Sequence, residues 1–440
     1  MASDVIGKLK NCEQTPELMR CFEVAGSSSW VAVKNLLFST TLQDVHEEHS
    51  HKRGLVSVDG IYFIGKSLKH YLRALLSRRL RPLFLGASSG LFKHKGQILD
   101  SYFPTNKVEP ESVIYMLNST NFSHLREMEP FLDRHHVVME NFLVGPWKVI
   151  FGRLHSELML VLGSRPLEIA FQSLSSDYSI SRRSLYYTHY KFLWGYRLFW
   201  MFFRPLTINK AYVVSAYTKS DLCAALRSLN IEIDEIQHGF LGPNHVGYNY
   251  WPQLTNLPVP HRLLVYNDFW KEEVLRSQSL WSEQVEVAGR LKYDLVETKM
   301  NLAKERYLVF TGQGGFYDSL IELFRTGASR LKKANVRIYY KAHPRELKGD
   351  LEKLRSALSG LDGISIYEGS ETTETLIKNS LGHISVFSSC HFDAIQFLGQ
   401  TFIFDVMKDN IVCEYAELYP QQYRRVLTMD DILQEIKHDV

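Results

Sequence analysis

Residues 232–250, Glu-Ile-Asp-Glu-Ile-Gln-His-Gly-Phe-Leu-Gly-Pro-Asn-His-Val-Gly-Tyr-Asn-Tyr, bring an imidazole to the end of a strand-like run. Ile231, Ile233 and Ile236 alternate with acids, and Gln237-His238-Gly239 follows. Gly242, Pro243, Asn244 and Gly247 then make a turn-rich loop without helical period. A histidine exchanges protons near neutral pH, and open α/β sheets place their chemistry at the carboxyl ends of their strands. The chemistry open to His238 is therefore proton transfer; the alternative is a loop histidine that satisfies a turn.

A second group of residues suits anion binding. Tyr307–Thr311 reads as a strand ending in Gly312-Gln313-Gly314-Gly315, whose backbone N–H groups are little obstructed. Ser388 and Ser389 end another strand and open a helix, adding hydroxyls and a helix N-terminus. Lys341, His343 and Arg345 leave a third strand with positive charge, and Pro344 restrains the backbone beside His343. Together they describe a metal-independent site for a departing nucleotide phosphate. Glu368 and Gly369, at a further strand end, can contact base or ribose. No Asp-x-Asp pair is present, and Glu232, Asp234 and Glu235 read as solvated strand positions, so no metal is expected. His46, Glu47, Glu48, His49 and His51 lack the i,i+4 histidine spacing of a helical zinc site and read as a solvated loop.

Alternating strands and helices must position these residues. The pattern predicts strands at Leu55–Ile64, 82–86, Leu167–Phe171, 211–216, 234–236, 262–267 and 285–288, and allows one at Trp30–Phe38. A basic amphipathic helix is expected over Ser67–Arg79, and 87–90 reads as a βα turn. Further helix and strand are expected within Leu125–Phe142. A charged stretch at 299–306 reads as a link, after which the pattern restarts: strands at 307–311, 336–341, 364–367, 383–387 and a final one at 401–404, with helices near 318–333 and 392–398. The expected fold class is α/β, two Rossmann-like domains over 1–300 and 301–440, facing across a cleft. Residues 184–204 mix Trp194, Phe199, Trp200, Phe202 and Phe203 with Lys191, Arg197 and Arg204. This suits either a helix in a membrane interface or a buried or partner-facing helix.

The 440 residues are 45% hydrophobic and 22% charged, ordinary for a folded globular chain. A net charge of +3 excludes a globally basic nucleic-acid binder, so attraction to phosphate must be local. Five scattered cysteines (12, 21, 223, 390, 413) form no CxxC pair and suggest a reducing compartment. No signal peptide or membrane-spanning run is seen, which leads to the expectation of a cytoplasmic protein, peripheral on the inner face of the cell membrane if 184–204 makes the contact.

Lys341-Ala342-His343-Pro344-Arg345, the later pair Ser388-Ser389 and Gln237-His238-Gly239 resemble, in order, the motifs of the GT-B glycosyltransferases of bacterial surface polysaccharides. That group includes sialyl-, polysialyl- and Kdo transferases and teichoic-acid glycerophosphotransferases. The likeness covers roughly residues 205–430, with histidine where sialyl members carry an acid. It implies an inverting transferase without cofactor or metal, moving a sugar, CMP-linked in preference, to a glycan or lipid-linked acceptor of capsule, O-antigen or lipooligosaccharide. His238 would be the base and His343 would stabilise or protonate the leaving group. Gly312, Gln313, Gly314, Lys341, Pro344, Arg345, Glu368, Ser388 and Ser389 would hold the donor; Gln237, Gly239, His245 and Tyr248 would face the acceptor. The alternatives are transfer of glycerophosphate from CDP-glycerol, a non-catalytic sugar-nucleotide-binding protein, or an epimerase, for which no eliminating acids are placed.

Overall fold

Short apolar runs separated by amphipathic stretches fold here as two parallel sheets covered by helices. The structure is a computed structural model that describes residues 2–24, 26–43, 58–76, 81–86, 91–94, 97–100, 112–116, 136–139, 144–163, 165–242, 245–250, 254, 256–276, 284–289, 305–313, 316–343, 346, 348–369, 371–407 and 412–438. The chain divides into two units, Met1–Leu291 and Lys292–Val440.

The first unit begins with helices α1 (Ala2–Glu13) and α2 (Pro16–Arg20), an antiparallel pair β1 (Glu23–Val24) and β2 (Ser27–Ser28), and helices α3 (Trp30–Gln43) and α4 (Val58–Leu76). Strand β3 (Arg81–Gly86), hairpin β4 (Leu91–His94) and β5 (Gln97–Asp100), β6 (Val113–Met116) and β7 (His136–Met139) follow. Next come α5 (Gly145–Leu162), α6 (Arg165–Tyr178) and α7 (Arg182–Phe203). Strand β8 (Ile208–Val214), helix α8 (Ser220–Ser228), β9 (Glu232–Ile236), β10 (Arg262–Val265), α9 (Asp268–Arg276) and β11 (Val285–Val287) complete the unit. Its sheet runs β11-β10-β9-β8-β3-β6-β7, every pairing parallel.

Three strand expectations are corrected here. Trp30–Phe38 lies in helix α3, Leu167–Phe171 lies in α6, and 58–64 of the Leu55–Ile64 run lie in α4. In each, helix formation satisfies the backbone of the apolar run locally.

Helix α7 is the packing axis of this unit. Ser181 caps it, its hydroxyl accepting the Ser184 N–H. Tyr186, His189, Tyr190, Phe192, Leu193, Phe199, Phe202 and Phe203 are buried along it. Burying such side chains contributes ~1.5–3 kcal/mol each. Gly195 lets helix α8 approach closely: a Cβ there would lie 2.1 Å from Asp221 Oδ2. The cations sit at the margins, Arg204 4.6 Å over the Trp200 ring and Arg197 5.5 Å over Trp194. Most of 184–204 is buried, Phe199, Phe202 and Phe203 filling the interior, while Trp194 and Trp200 are half-buried and Arg197, Met201 and Arg204 are exposed. Among the described residues no helix is long and apolar enough to cross a membrane.

In the second unit the sheet order is β14-β13-β12-β15-β16-β17, again wholly parallel. The strands are β12 (Tyr307–Thr311), β13 (Arg337–Lys341), β14 (Ile364–Ile366), β15 (Gly382–Ser385), β16 (Thr401–Phe404) and β17 (Tyr423–Val426). The helices are α10 (Tyr317–Ala334), α11 (Lys348–Leu358), α12 (Thr373–Lys378), α13 (Cys390–Leu398), α14 (Cys413–Leu418) and α15 (Met429–His438). All five residues of β12 are buried, as a central strand covered on both faces requires. Leu308 and Phe310 pack with Phe324 and Ile432 on one face, while Tyr307 and Val309 meet Leu376, Ile377 and Ala394 on the other. Thr401–Phe404 is not the final strand: β17 pairs beyond it.

Candidate functional site

Strand β9 lies between β8 and β10, with both faces covered, so two of its three acids, Asp234 and Glu235, are carried into the interior while Glu232 stays exposed. Asp234 and Glu235 are each only 1% exposed, which corrects their reading as solvated positions. The two carboxylates meet different surroundings. Asp234 receives a bidentate grip from Arg262 at 2.8 and 2.9 Å and the Lys210 ammonium at 2.7 Å, which compensates its lost hydration. Among the described residues no cation pairs with Glu235. Its Oε1 accepts the Ala216 N–H at 3.0 Å and the Tyr248 hydroxyl at 2.8 Å. Burial outweighs these two bonds and pushes the Glu235 carboxyl up to about 7.

His238 follows two residues beyond the strand, its Nδ1 3.3 Å from the Tyr248 hydroxyl. Burial lowers its pKa, which keeps the imidazole neutral at pH 7. Tyr217, from the turn after β8, lies with its ring centre 6.1 Å from that of His238 and 5.1 Å from that of His245. The Nδ1 of His245 accepts the Gly247 N–H at 3.1 Å, and burial depresses this histidine to about 3.

Two assignments change. Gln237 is fully buried, its amide donating to the Gly239 carbonyl at 2.7 Å and accepting the Tyr266 N–H at 2.8 Å. Tyr248 is 1% exposed and stands behind His238. Both therefore shape the site from within and do not face an acceptor. His245 instead borders a cavity of about 890 Å³ whose wall includes Asn35, Lys148, Tyr217, Lys219 and Lys191. Lys148 is held by Asp221 at 2.8 Å.

In the second unit the strand order reverses between β12 and β15, the crevice where doubly wound sheets bind ligands. Gly312 and Gln313 leave β12 on one side of it and Ser388 and Ser389 follow β15 on the other. A Cβ on Gly312 would lie 2.2 Å from the Tyr340 hydroxyl and 2.3 Å from Glu346, so only glycine fits. The Oε1 of Gln313 is buried without a hydrogen-bond partner among the described residues. Ser388 is buried and its hydroxyl oxygen accepts the Cys390 N–H at 3.1 Å, while Ser389 is exposed at the start of α13. Lys341 donates to the Glu371 carbonyl at 3.2 Å and lies 5.0 Å over the Tyr367 ring, and burial lowers its pKa.

His343 is exposed, with its backbone N–H 2.6 Å from Glu346 Oε1. Glu346, absent from the sequence expectations, also receives the hydroxyls of Tyr317 at 2.7 Å and Tyr340 at 2.9 Å. Its place three residues after His343 was the available signal. Glu368 is exposed and paired with Arg355, and Gly369 is exposed beside it. Gly314, Pro344 and Arg345 lie outside the described residues, as do the turn at 87–90 and the His46–His51 cluster. Among the described residues no group of three or more His, Cys, Asp or Glu is arranged to hold a metal ion.

No family model and no curated protein matches the chain. Similar solved structures include a UDP-N-acetylglucosamine 2-epimerase, 10% identical, with a TM-score of 0.43 over 77% of this chain and 82% of that one. The UDP-GlcNAc 2-epimerase from Methanocaldococcus jannaschii is 13% identical, with a TM-score of 0.40 over 57% of this chain and 74% of its own. MurG from Acinetobacter baumannii is 10% identical, with a TM-score of 0.36 over 57% and 70%.

Proposed function

We propose that the chain is an inverting, metal-independent glycosyltransferase that moves a sugar, CMP-linked in preference, from a nucleotide donor to a surface glycan or its lipid-linked precursor. The observation that carries this reading is His238: a neutral imidazole at the end of a parallel strand, held from behind by Tyr248. The switch-point crevice of the second unit supports a donor site, its polar loops on both sides and the Gln313 carbonyl without a partner among the described residues. In the step, the acceptor oxygen bonds to the anomeric carbon as the bond from that carbon to the phosphate oxygen breaks. The electron pair leaves with the nucleotide, and the acceptor proton passes to Nε2 of His238. Lys341, His343 and the loop N–H groups take up the charge developing on the phosphate. The cavity beside His245 is the acceptor's place, and its lysines favour an anionic glycan.

A screen against CMP, CDP, UDP and GDP and their conjugates, CDP-glycerol included, tests this without added metal and again with EDTA. Thermal stabilisation by CMP and release of CMP from a CMP-sugar are expected. His238→Ala should keep donor binding and lose turnover by about 10²-fold or more, the range of general-base catalysis. CMP release from CDP-glycerol would move the protein to the glycerophosphotransferases, and stabilisation by none of the nucleotides would overturn the reading.

A contact with the inner membrane surface belongs to the same proposal, centred on helix α5 with the exposed margin of 184–204 beside it. Trp147, Ile150, Leu154, Leu158 and Val161 recur along α5 at helical spacing and are exposed. Arg153 is exposed on α5, and Arg197, Met201 and Arg204 are exposed on α7, which packs against it. Apolar and aromatic side chains edged by arginines suit an anionic headgroup layer.

A further inference from the structure

We propose that Glu235 and Tyr248 form a proton-orienting chain behind His238 that decides which imidazole nitrogen carries the proton, and thereby whether His238 can act as a base. This rests on the reading of His238 as the base. Glu235 and Tyr248 are positioning residues, since each acts through the imidazole.

The argument is a count of protons along Glu235 Oε1, Tyr248 Oη and His238 Nδ1, separated by 2.8 and 3.3 Å. An ionised carboxylate only accepts, so with Glu235 charged the single phenolic proton of Tyr248 points to Oε1. The Tyr248 oxygen is then an acceptor toward the ring, and Nδ1 must donate. A neutral imidazole has one N–H, so Nε2 keeps its lone pair and can receive the acceptor's proton. Adding one proton to Glu235 reverses the chain. The carboxyl donates to the Tyr248 oxygen, the phenol donates to Nδ1, and the ring proton sits on Nε2, which is no longer basic.

The surroundings place this reversal near neutrality. The groups facing Glu235 are Tyr248 and Tyr250 from the loop, Tyr217 from the turn after β8 and Cys223 from α8, with His238 and His245 beyond Tyr248. Among the described residues no lysine or arginine pairs with it. Burial therefore holds the Glu235 carboxyl at about 7. His238 itself is shifted below its ordinary value. A rate that rises with pH near 7 would thus report Glu235, since the imidazole, shifted below its ordinary value, charges only at lower pH.

The test is nitrogen NMR of the full chain labelled with ¹⁵N-histidine, with His238 assigned by its absence in His238→Gln. At pH 8 the wild type should show the Nδ1–H tautomer, passing to Nε2–H without ring charging as pH falls through 7. Glu235→Gln, whose amide oxygen still accepts the Ala216 N–H and the Tyr248 hydroxyl and which cannot titrate, should show Nδ1–H at both pH values. If that variant fails to fold, Tyr248→Phe serves: its tautomer preference and the transition near pH 7 should vanish, with turnover down by about 10²-fold. An Nε2–H wild type at pH 8, or an unchanged Nδ1–H signal in Tyr248→Phe, would overturn the proposal. The tautomer is read without turnover, so a protein with the expected spectra and no transferase activity would refute the function and leave the chain standing. Sugar transfer by a protein with the opposite tautomer would do the reverse.

Discussion

Glu235 in the first unit and Glu346 in the second are buried or half-buried carboxylates that each organise their own unit's candidate residues, and among the described residues neither is held by an ion pair. Glu346 gathers two tyrosine hydroxyls and the N–H of His343, tying β13, the start of α10 and the His343 loop to one side chain. Hydrogen bonds to a charged group contribute about 1.5–3 kcal/mol each, and losing the acceptor strands the buried Tyr340 hydroxyl. Glu346→Ala should therefore lower unfolding stability by about 2–4 kcal/mol in urea titration and weaken nucleotide stabilisation. Glu346→Gln should cost less, since it keeps one acceptor oxygen. Equal stability of Glu346→Ala and wild type would show that the network is incidental.

Helices α5 and α7 divide the apolar content of their region in a way composition does not show. Helix α7 turns its aromatic residues inward, while α5 leaves Leu154 64% exposed and Leu158 53% exposed. If α5 lies on a membrane, the chain should sediment with vesicles of phosphatidylethanolamine and phosphatidylglycerol, and less so at high salt. Replacing both leucines by aspartate should weaken binding roughly tenfold per leucine, since each buries ~1.5–3 kcal/mol of apolar surface. A bound fraction unchanged by the double substitution would remove the membrane surface from the proposal and leave this stripe to a protein partner.

Across the whole molecule, neutral buried histidines set the response to acid. Burial depresses His189 to about 4, His245 to about 3 and His391 to about 3, and holds His383 well below its ordinary value. Each has a folded pKa below its unfolded value of 6.5, so below that pH the unfolded chain binds more protons. The stability they contribute is complete above 6.5 and is lost as pH falls toward 3 to 4. Glu235 works oppositely, its raised pKa removing stability as pH rises from 4.5 through about 7. Several histidines against one carboxyl make the acid side the weaker. The melting temperature should fall between pH 6.5 and 5, and a flat profile there would contradict the neutral burial of these rings.

The sequence by itself determined the alternation of strands and helices in the second unit, because a run such as Tyr307–Thr311 has one stable use, a parallel strand buried on both faces. It also determined that Gln237-His238-Gly239 and the residues near 312, 343 and 388 stand at strand ends, since Gly and Pro mark where pairing stops. It could not separate Trp30–Phe38 or Leu167–Phe171 from strands, because a buried helix and a buried strand are equally apolar over so short a length. Nor did it reveal β17, whose Arg424 and Arg425 interrupt an edge strand held by Tyr423 and Val426. Tertiary structure alone decided the fate of the acids in β9. Only the covering of both sheet faces shows that Asp234 and Glu235 are buried. Only the return of the loop to Tyr248 places a phenol between a carboxylate and His238, thirteen residues from the one and ten from the other.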